Sequence, residues 1–133
     1  MTTIVSPVHI RSDRLLRLAL RIDAVFSAFS GVVLAAAASW LSVSSGLPKA
    51  VEYWLAAILV AYGVVVYWLS GVESVRTPGI AVAIANLGFT VAAVLVVVDN
   101  VWPLTTLGVA LMFFSAAYTL VMADLQYLGV RRA

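Results

Sequence analysis

The stretch "RLALRIDAVFSAFSGVVLAAAASW" at residues 17–40 decides the fold, because a basic lead-in passes directly into a long apolar run. A helix needs about 20 apolar residues to cross a bilayer, and the run beginning at residue 22 supplies them. One carboxylate, Asp23, lies at its start. A carboxylate there is either a membrane-boundary residue or the start of a site inside the membrane. The stretch therefore predicts a first membrane span with one polar residue that needs an explanation.

The composition extends this prediction to the whole chain. Of its 133 residues, 64% are hydrophobic and 11% are charged, and the mean hydropathy is +1.10. A soluble domain carries about 25% charged residues, so lipid must cover much of this surface. The absence of cysteine excludes disulfides, thiolate metal sites and Fe–S clusters. The net charge of +2 is too small to indicate nucleic-acid binding.

Four apolar segments are separated by short stretches rich in Gly, Pro, Ser and charge. The predicted spans are residues 22–43, 51–70, 79–98 and 103–122. In lipid each span must satisfy its backbone internally, which favours helix even for the valine-rich segments. Short loops favour neighbouring antiparallel helices. The sequence therefore predicts an all-α membrane protein, a four-transmembrane-helix up-down antiparallel bundle formed by residues 22–128.

Residues 12–21 predict a basic amphipathic interfacial helix ahead of this domain, either continuous with the first span or bent against it. Ser12 is the expected N-cap. Leu16 and Leu20 lie on the face opposite to three arginines. These are Arg14, Arg17 and Arg21. The arginines are candidates for binding anionic lipid headgroups, at about 1 kcal/mol per residue, or they serve only as a topology signal.

The distribution of basic residues predicts the orientation. Seven arginines fall on one side of the predicted spans and only Lys49 falls on the other. The positive-inside rule then places both termini in the cytoplasm, with residues 1–11 as a flexible tail and residues 129–133 as a second tail. Most Trp and Tyr residues, Tyr118 among them, fall near span ends and are interpreted as interfacial aromatic belts.

Polar residues within the spans are the candidates for a site, because burying them in lipid is expensive. Several share helical faces at spacings of three or four residues and fall in the predicted cytoplasmic half. The candidate polar pocket comprises Asp23, Ser27, Ser30, Asn86, Thr90, Thr119 and Asp124. The alternative is purely structural: the two carboxylates reach water at the interface or pair there with Arg21, Arg131 or Arg132, and the amide and hydroxyls make ordinary helix contacts.

Small residues recur at spacings of four in the first and third spans, a pattern that lets helix backbones approach closely. The expected packing positions are Gly31, Ala35, Gly88 and Ala92. These positions serve the bundle itself, a homo-oligomer, or contacts with other membrane protein chains.

Several kinds of chemistry are not expected. The single histidine, His9, falls in the predicted tail, so a bis-histidine haem and a histidine-based metal cluster are excluded. No Ser–His–Asp arrangement is available inside the membrane, and no Gly-rich phosphate loop precedes a helix. We therefore expect no cofactor, no metal and no enzymatic activity.

Three segments carry a family resemblance. They are "RLLRLALRIDA" at residues 14–24, "AIANLGFTVA" at residues 83–92 and "ADLQYLGVRR" at residues 123–132. Through them the chain resembles the small, uncharacterised four-span integral membrane proteins of bacteria, which implies a bacterial inner-membrane location and no particular activity. Small multidrug transporters share the length and span count. They need a glutamate well inside the first span, where this chain has only Asp23.

Two functional hypotheses follow. The first is a non-enzymatic membrane protein acting through helix–helix and lipid contacts, as an accessory or scaffold subunit of a larger inner-membrane assembly. The second is a small transporter or a protein that binds a lipid or small molecule in the polar pocket. Both expect membrane lipids, including anionic ones, as partners, and neither involves nucleic acid.

Overall fold

A computed structural model describes residues 13–133, and these residues confirm an all-α fold without strands. Each predicted span corresponds to one long helix. The helices are α1 (Arg14–Ala36), α2 (Ala38–Ser45), α3 (Lys49–Leu69), α4 (Arg76–Val98) and α5 (Thr106–Arg132). All but α2 are long and apolar enough to cross a membrane. The chain is therefore a multi-pass integral membrane protein with four spanning helices.

The largest differences from the predicted boundaries lie in the first and last spans. The basic lead-in and the first span form one continuous helix, α1, which stops at Ala36 and resumes after Ala37 as α2. The predicted N-cap Ser12 lies outside the described residues, and Asp13 occupies the N-cap position without a capping side-chain bond. The last helix continues through Arg132, so the predicted tail at residues 129–133 is mostly helical.

The long helices form an incompletely closed bundle. Helix α1 packs along α3 on one side and along α5 on the other, and α4 packs against α5. Helices α3 and α4 are consecutive in sequence but scarcely touch. The arginines at the start of α1 and α4 and at the end of α5 share one end of the bundle, here termed the basic end. A gap between α3 and α4 is the main departure from a closed up-down bundle.

The core of the basic end is built on the apolar face of α1. Leu16 and Leu20 are fully buried, as their position opposite the arginines predicts. They pack with Val66, Val82 and Val130 from the other three long helices. One hydrophobic cluster therefore joins all four spans at this end.

Close helix approach depends on three glycines. A Cβ at Gly63 would lie 2.6 Å from the Ala24 carbonyl oxygen, and one at Gly31 would lie 2.7 Å from the Ala56 carbonyl oxygen. A Cβ at Gly129 would lie 2.7 Å from the Cα of Leu16. The α1–α3 and α1–α5 contacts are thus backbone-to-backbone, as the small residue at Gly31 predicts.

The other three predicted packing positions lie on exposed parts of the chain. Ala35 and Ala92 are exposed, and a Cβ at Gly88 would meet no atom within 4 Å. For Gly88 and Ala92 the reason is the rotation of α4, which packs on α5 and directs these two residues toward the gap instead of toward a helix.

The opposite end of the bundle is tied by Thr105. Its backbone N–H donates to the Ser45 carbonyl (2.9 Å), and its hydroxyl donates to the Ser44 carbonyl. The same hydroxyl oxygen accepts from the Gly108 N–H (3.1 Å) and so caps α5. Helix α2 is thereby fastened to the start of α5.

The glycine contacts predict a contrast between two alanine substitutions. Gly63→Ala should destabilise the protein by about 1–3 kcal/mol, because its new methyl group meets the backbone of α1. Gly88→Ala should be neutral or slightly stabilising, because it gains helix propensity without a clash. Chemical unfolding in detergent micelles, followed by circular dichroism, measures both. Equal stability of the two variants would contradict the observed α1–α3 contact.

Candidate functional site

The carboxylate of Asp23 is fully buried and accepts hydrogen bonds from five side chains. Its Oδ1 accepts from Ser27 Oγ (3.2 Å) and from the Tyr118 hydroxyl (3.0 Å). Its Oδ2 accepts from the Tyr62 hydroxyl (2.6 Å), Asn86 Nδ2 (2.9 Å) and Gln126 Nε2 (3.0 Å). These six residues are termed the Asp23 cluster.

The donors come from all four long helices and are electrically neutral. Asn86 Nδ2 also lies 2.9 Å from Gln126 Oε1 and 3.1 Å from the Tyr62 oxygen, so the donors are bonded to one another. An ionised carboxylate accepts hydrogen bonds at both oxygens and donates none, so five converging donors suit the ionised form of Asp23. Burying an anion costs several kcal/mol unless hydrogen bonds replace its water. The Asp23 cluster supplies them.

Asp23 is not paired with an arginine, contrary to the interfacial interpretation. Within residues 13–133 the ion pair is Arg17 with Asp13, at 3.2 Å. Asp23 lies nine residues into α1, roughly 14 Å from the start of the helix at 1.5 Å per residue. Arg21 is exposed and lies on a different face of that helix. The carboxylate therefore faces the bundle interior at a depth where the described arginines do not reach it.

Two of the three arginines proposed to bind lipid contact the α3–α4 loop. Arg17 Nη1 donates to the carbonyls of Ser70 (2.9 Å) and Val72 (2.6 Å), and its Nη2 donates to the carbonyl of Glu73 (3.0 Å). Arg21 Nε donates to Ser70 Oγ (3.3 Å). Arg14 is exposed. Arg17 thus closes the loop at the basic end, and Arg14 and Arg21 remain accessible for headgroups.

The remaining predicted pocket residues fall in three places. The hydroxyls of Thr90 and Thr119 lie 2.6 Å apart and join α4 to α5 beside the Asp23 cluster. Ser30 lines the cavity described below. Asp124 is exposed and lies outside the cluster. The structure thus brings together Asp23, Ser27 and Asn86 and places Asp124 elsewhere.

Sequence reasoning missed three members of the cluster. Tyr118 is expected in an interfacial aromatic belt, and Tyr62 is not among the candidate pocket residues. Gln126 is not among them either, whereas the nearby Asp124 is. The helical period distinguishes the two, because residue 126 lies seven positions from Thr119 and shares its face, whereas residue 124 points about 140° away.

A cavity of about 350 Å³ lies against the Asp23 cluster and is lined by residues of all four long helices. Tyr62, Asn86 and Tyr118 form its polar floor, and Phe26 stacks on Tyr118 with ring centroids 4.5 Å apart. Asp23 itself stays behind these side chains. The floor therefore offers hydroxyl and amide groups, not a free carboxylate.

A second cavity of about 560 Å³ continues from the first toward the opposite end. The two cavities share lining residues, among them Phe26, Leu59 and Phe89, and therefore adjoin one another. Ala85 and Ala92 of α4 line this space, where larger side chains would fill it. The walls are mostly apolar, and the described residues contain no group of His, Cys, Asp and Glu that could hold a metal. Such a space suits an apolar or amphipathic molecule.

No protein family, curated protein or solved structure matches this chain. Its function therefore has to be inferred from the cavity and from the side chains around it.

The Asp23 cluster predicts that two buried tyrosine hydroxyls stabilise the fold. Tyr62→Phe and Tyr118→Phe should each lower the free energy of unfolding by about 1–2 kcal/mol, since each removes one hydrogen bond to a carboxylate. Tyr53→Phe is the matched control, because Tyr53 is exposed. Unfolding in detergent micelles measures all three, and the double variant reveals the coupling. Unchanged stability of both cluster variants would mean that their hydroxyls do not bond Asp23.

The Arg17 contacts predict local ordering of the α3–α4 loop. Arg17→Gln should raise amide hydrogen exchange across residues 70–75 by about tenfold, because the loop carbonyls lose a charged donor. Arg14→Gln is the matched control, because it removes the same charge from the same helix. It should leave that exchange unchanged, since Arg14 is exposed. Exchange mass spectrometry in nanodiscs reports both. Equal effects of the two variants would mean that the positive charge of α1 orders the loop, and not the hydrogen bonds of Arg17.

Proposed function

We propose that this protein binds a lipophilic small molecule or lipid in the cavity between its four long helices. The observation that carries the proposal is the pair of adjoining, mostly apolar cavities with a hydrogen-bonding floor. Ligand sites in proteins have this character: apolar walls and a few convergent polar groups. We place the protein in the bacterial inner membrane with both termini cytoplasmic, as the arginine distribution supports.

The gap between α3 and α4 supports entry from the bilayer. Ile58 of α3 and Ala85 and Ala92 of α4 line the cavity and are also exposed on the surface of the chain. Since these two helices scarcely touch, the cavity opens sideways between them. A molecule dissolved in the membrane could enter there without leaving the apolar phase.

The Asp23 cluster closes the cavity at its basic end. Tyr62 of α3 and Asn86 of α4 are bonded to each other and to Asp23, so they bridge the gap at that level. Leu16 and Leu20 fill the bundle beyond them. A ligand that enters from the bilayer thus meets a closed floor.

The accessory or scaffold role remains the second hypothesis. It rests on the absence of catalytic residues and on the small-residue stripes. At one of those positions, Ala92 of α4, the side chain lines the cavity, which favours ligand binding over helix docking there. No catalytic step is proposed for either role.

Filling the cavity tests the proposal. Ala85→Phe and Ala92→Phe should weaken saturable binding of tritium-labelled dodecanol to the protein in phosphatidylglycerol nanodiscs by about tenfold or more, because a phenyl ring occupies the space. Ala57→Phe is the matched control, since Ala57 is an exposed alanine of α3 that lines neither cavity.

Circular dichroism and gel filtration verify that each variant is folded. Wild-type protein without saturable binding would overturn the proposed function. So would equal binding by the Ala85, Ala92 and Ala57 variants.

A further inference from the structure

Glu52 is a buried carboxylate at the end of the cavity farthest from the Asp23 cluster. It lies in the first turn of α3, is 2% exposed and lines the wider part of the cavity. Its Oε1 accepts one hydrogen bond, from Ser45 Oγ at 3.1 Å. Among residues 13–133, no lysine or arginine lies within ion-pair distance of it.

The two buried carboxylates differ in how well they are satisfied. A carboxylate has about four acceptor sites, and Asp23 accepts five bonds whereas Glu52 accepts one. An under-bonded carboxylate in an apolar space is costly, and a cation that supplies charge and N–H donors offsets that cost. Glu52 therefore has unused capacity to accept a cationic group, and Asp23 does not.

The surroundings of Glu52 supply no such cation from the protein. Lys49, one turn earlier on α3, is exposed and is not within ion-pair distance of the carboxylate. Ser45 is itself buried, and its oxygen accepts from the Leu47 N–H (3.2 Å). Trp102 lines the same cavity, and an indole face attracts cations. The features around Glu52 thus favour a positively charged group from outside the chain.

We propose that Glu52 binds the ammonium group of an amphipathic amine whose alkyl chain occupies the cavity. The proposal rests on the proposed function and names the ligand class of that same cavity. Ten residues of α3 separate Glu52 from Tyr62, which is roughly 15 Å along the helix at 1.5 Å per residue. The alkyl chain runs along this length, between Leu55, Leu59 and the rings of Phe26 and Phe89.

The test compares two probes with the same chain, dodecylammonium and dodecanol, both tritium-labelled, in phosphatidylglycerol nanodiscs at pH 7. The amine is protonated at this pH. Wild-type protein should bind the ammonium probe at least about tenfold more tightly than the alcohol, and Glu52→Gln should abolish this preference. Glu73→Gln, which removes an exposed carboxylate at the basic end, should behave as wild type.

Glu52→Asp keeps the charge and should retain most of the preference for the ammonium probe. This variant keeps the proposal testable if Glu52→Gln does not fold. Equal affinity of the wild type for both probes, or a preference that survives in Glu52→Gln, would overturn the ammonium site while the cavity itself stands. Failure of both probes to bind the wild type would instead overturn the proposed function and this inference with it.

A second arm identifies the source of the ammonium group. Competition by phosphatidylethanolamine added to the nanodiscs would assign the site to a lipid headgroup. Unchanged dodecylammonium binding would assign it to a free amphipathic amine. Both results support an ammonium ligand.

Discussion

The fold depends on one buried anion. Asp23 enters the bundle on α1 and is neutralised by no cation among residues 13–133; instead, five neutral donors from α1, α3, α4 and α5 replace its water. Because loss of any donor leaves part of the carboxylate's desolvation cost uncompensated, all four spanning helices are held to one register at this level. The apolar contacts of Leu16 and Leu20 fill space, but the Asp23 cluster fixes which residues meet.

The cavity results from two features: the helix register that the Asp23 cluster fixes, and the small side chains that α4 presents to the space. Tyr62 and Asn86 join α3 to α4 at the cluster, although the two helices otherwise scarcely touch. Helix α4 presents Ala85 and Ala92 to the space, and these side chains are too short to reach α3. An empty volume of this size in a soluble core would cost stability. In a membrane, lipid can fill such a volume, so the same geometry need not cost stability there.

The sequence predicts the helices well and the site in part. Apolar run length fixes four spans, and the helical period correctly buries Leu16 and Leu20 and brings Asp23 and Asn86 to the same depth. It does not fix the rotation of α4 about its axis, so Gly88 was expected at a helix contact and faces open space. Nor does a side chain's charge predict whether it belongs to the Asp23 cluster. Asp124 is exposed, whereas neutral Gln126, on the same face as Thr119, is fully buried. Partners separated by up to 103 positions cannot be paired by local periodicity.

The two buried carboxylates differ in how many protein side chains reach them. Asp23 is reached by side chains from every spanning helix because it lies where the bundle is closed. Glu52 lies at the far end of the wider cavity, where Ser45 is its hydrogen-bond partner among residues 13–133. The space that leaves room for a ligand therefore also leaves this carboxylate with few protein partners. In the proposed complex, the molecule that fills the cavity supplies the missing partner, with its charge at Glu52 and its chain toward Asp23.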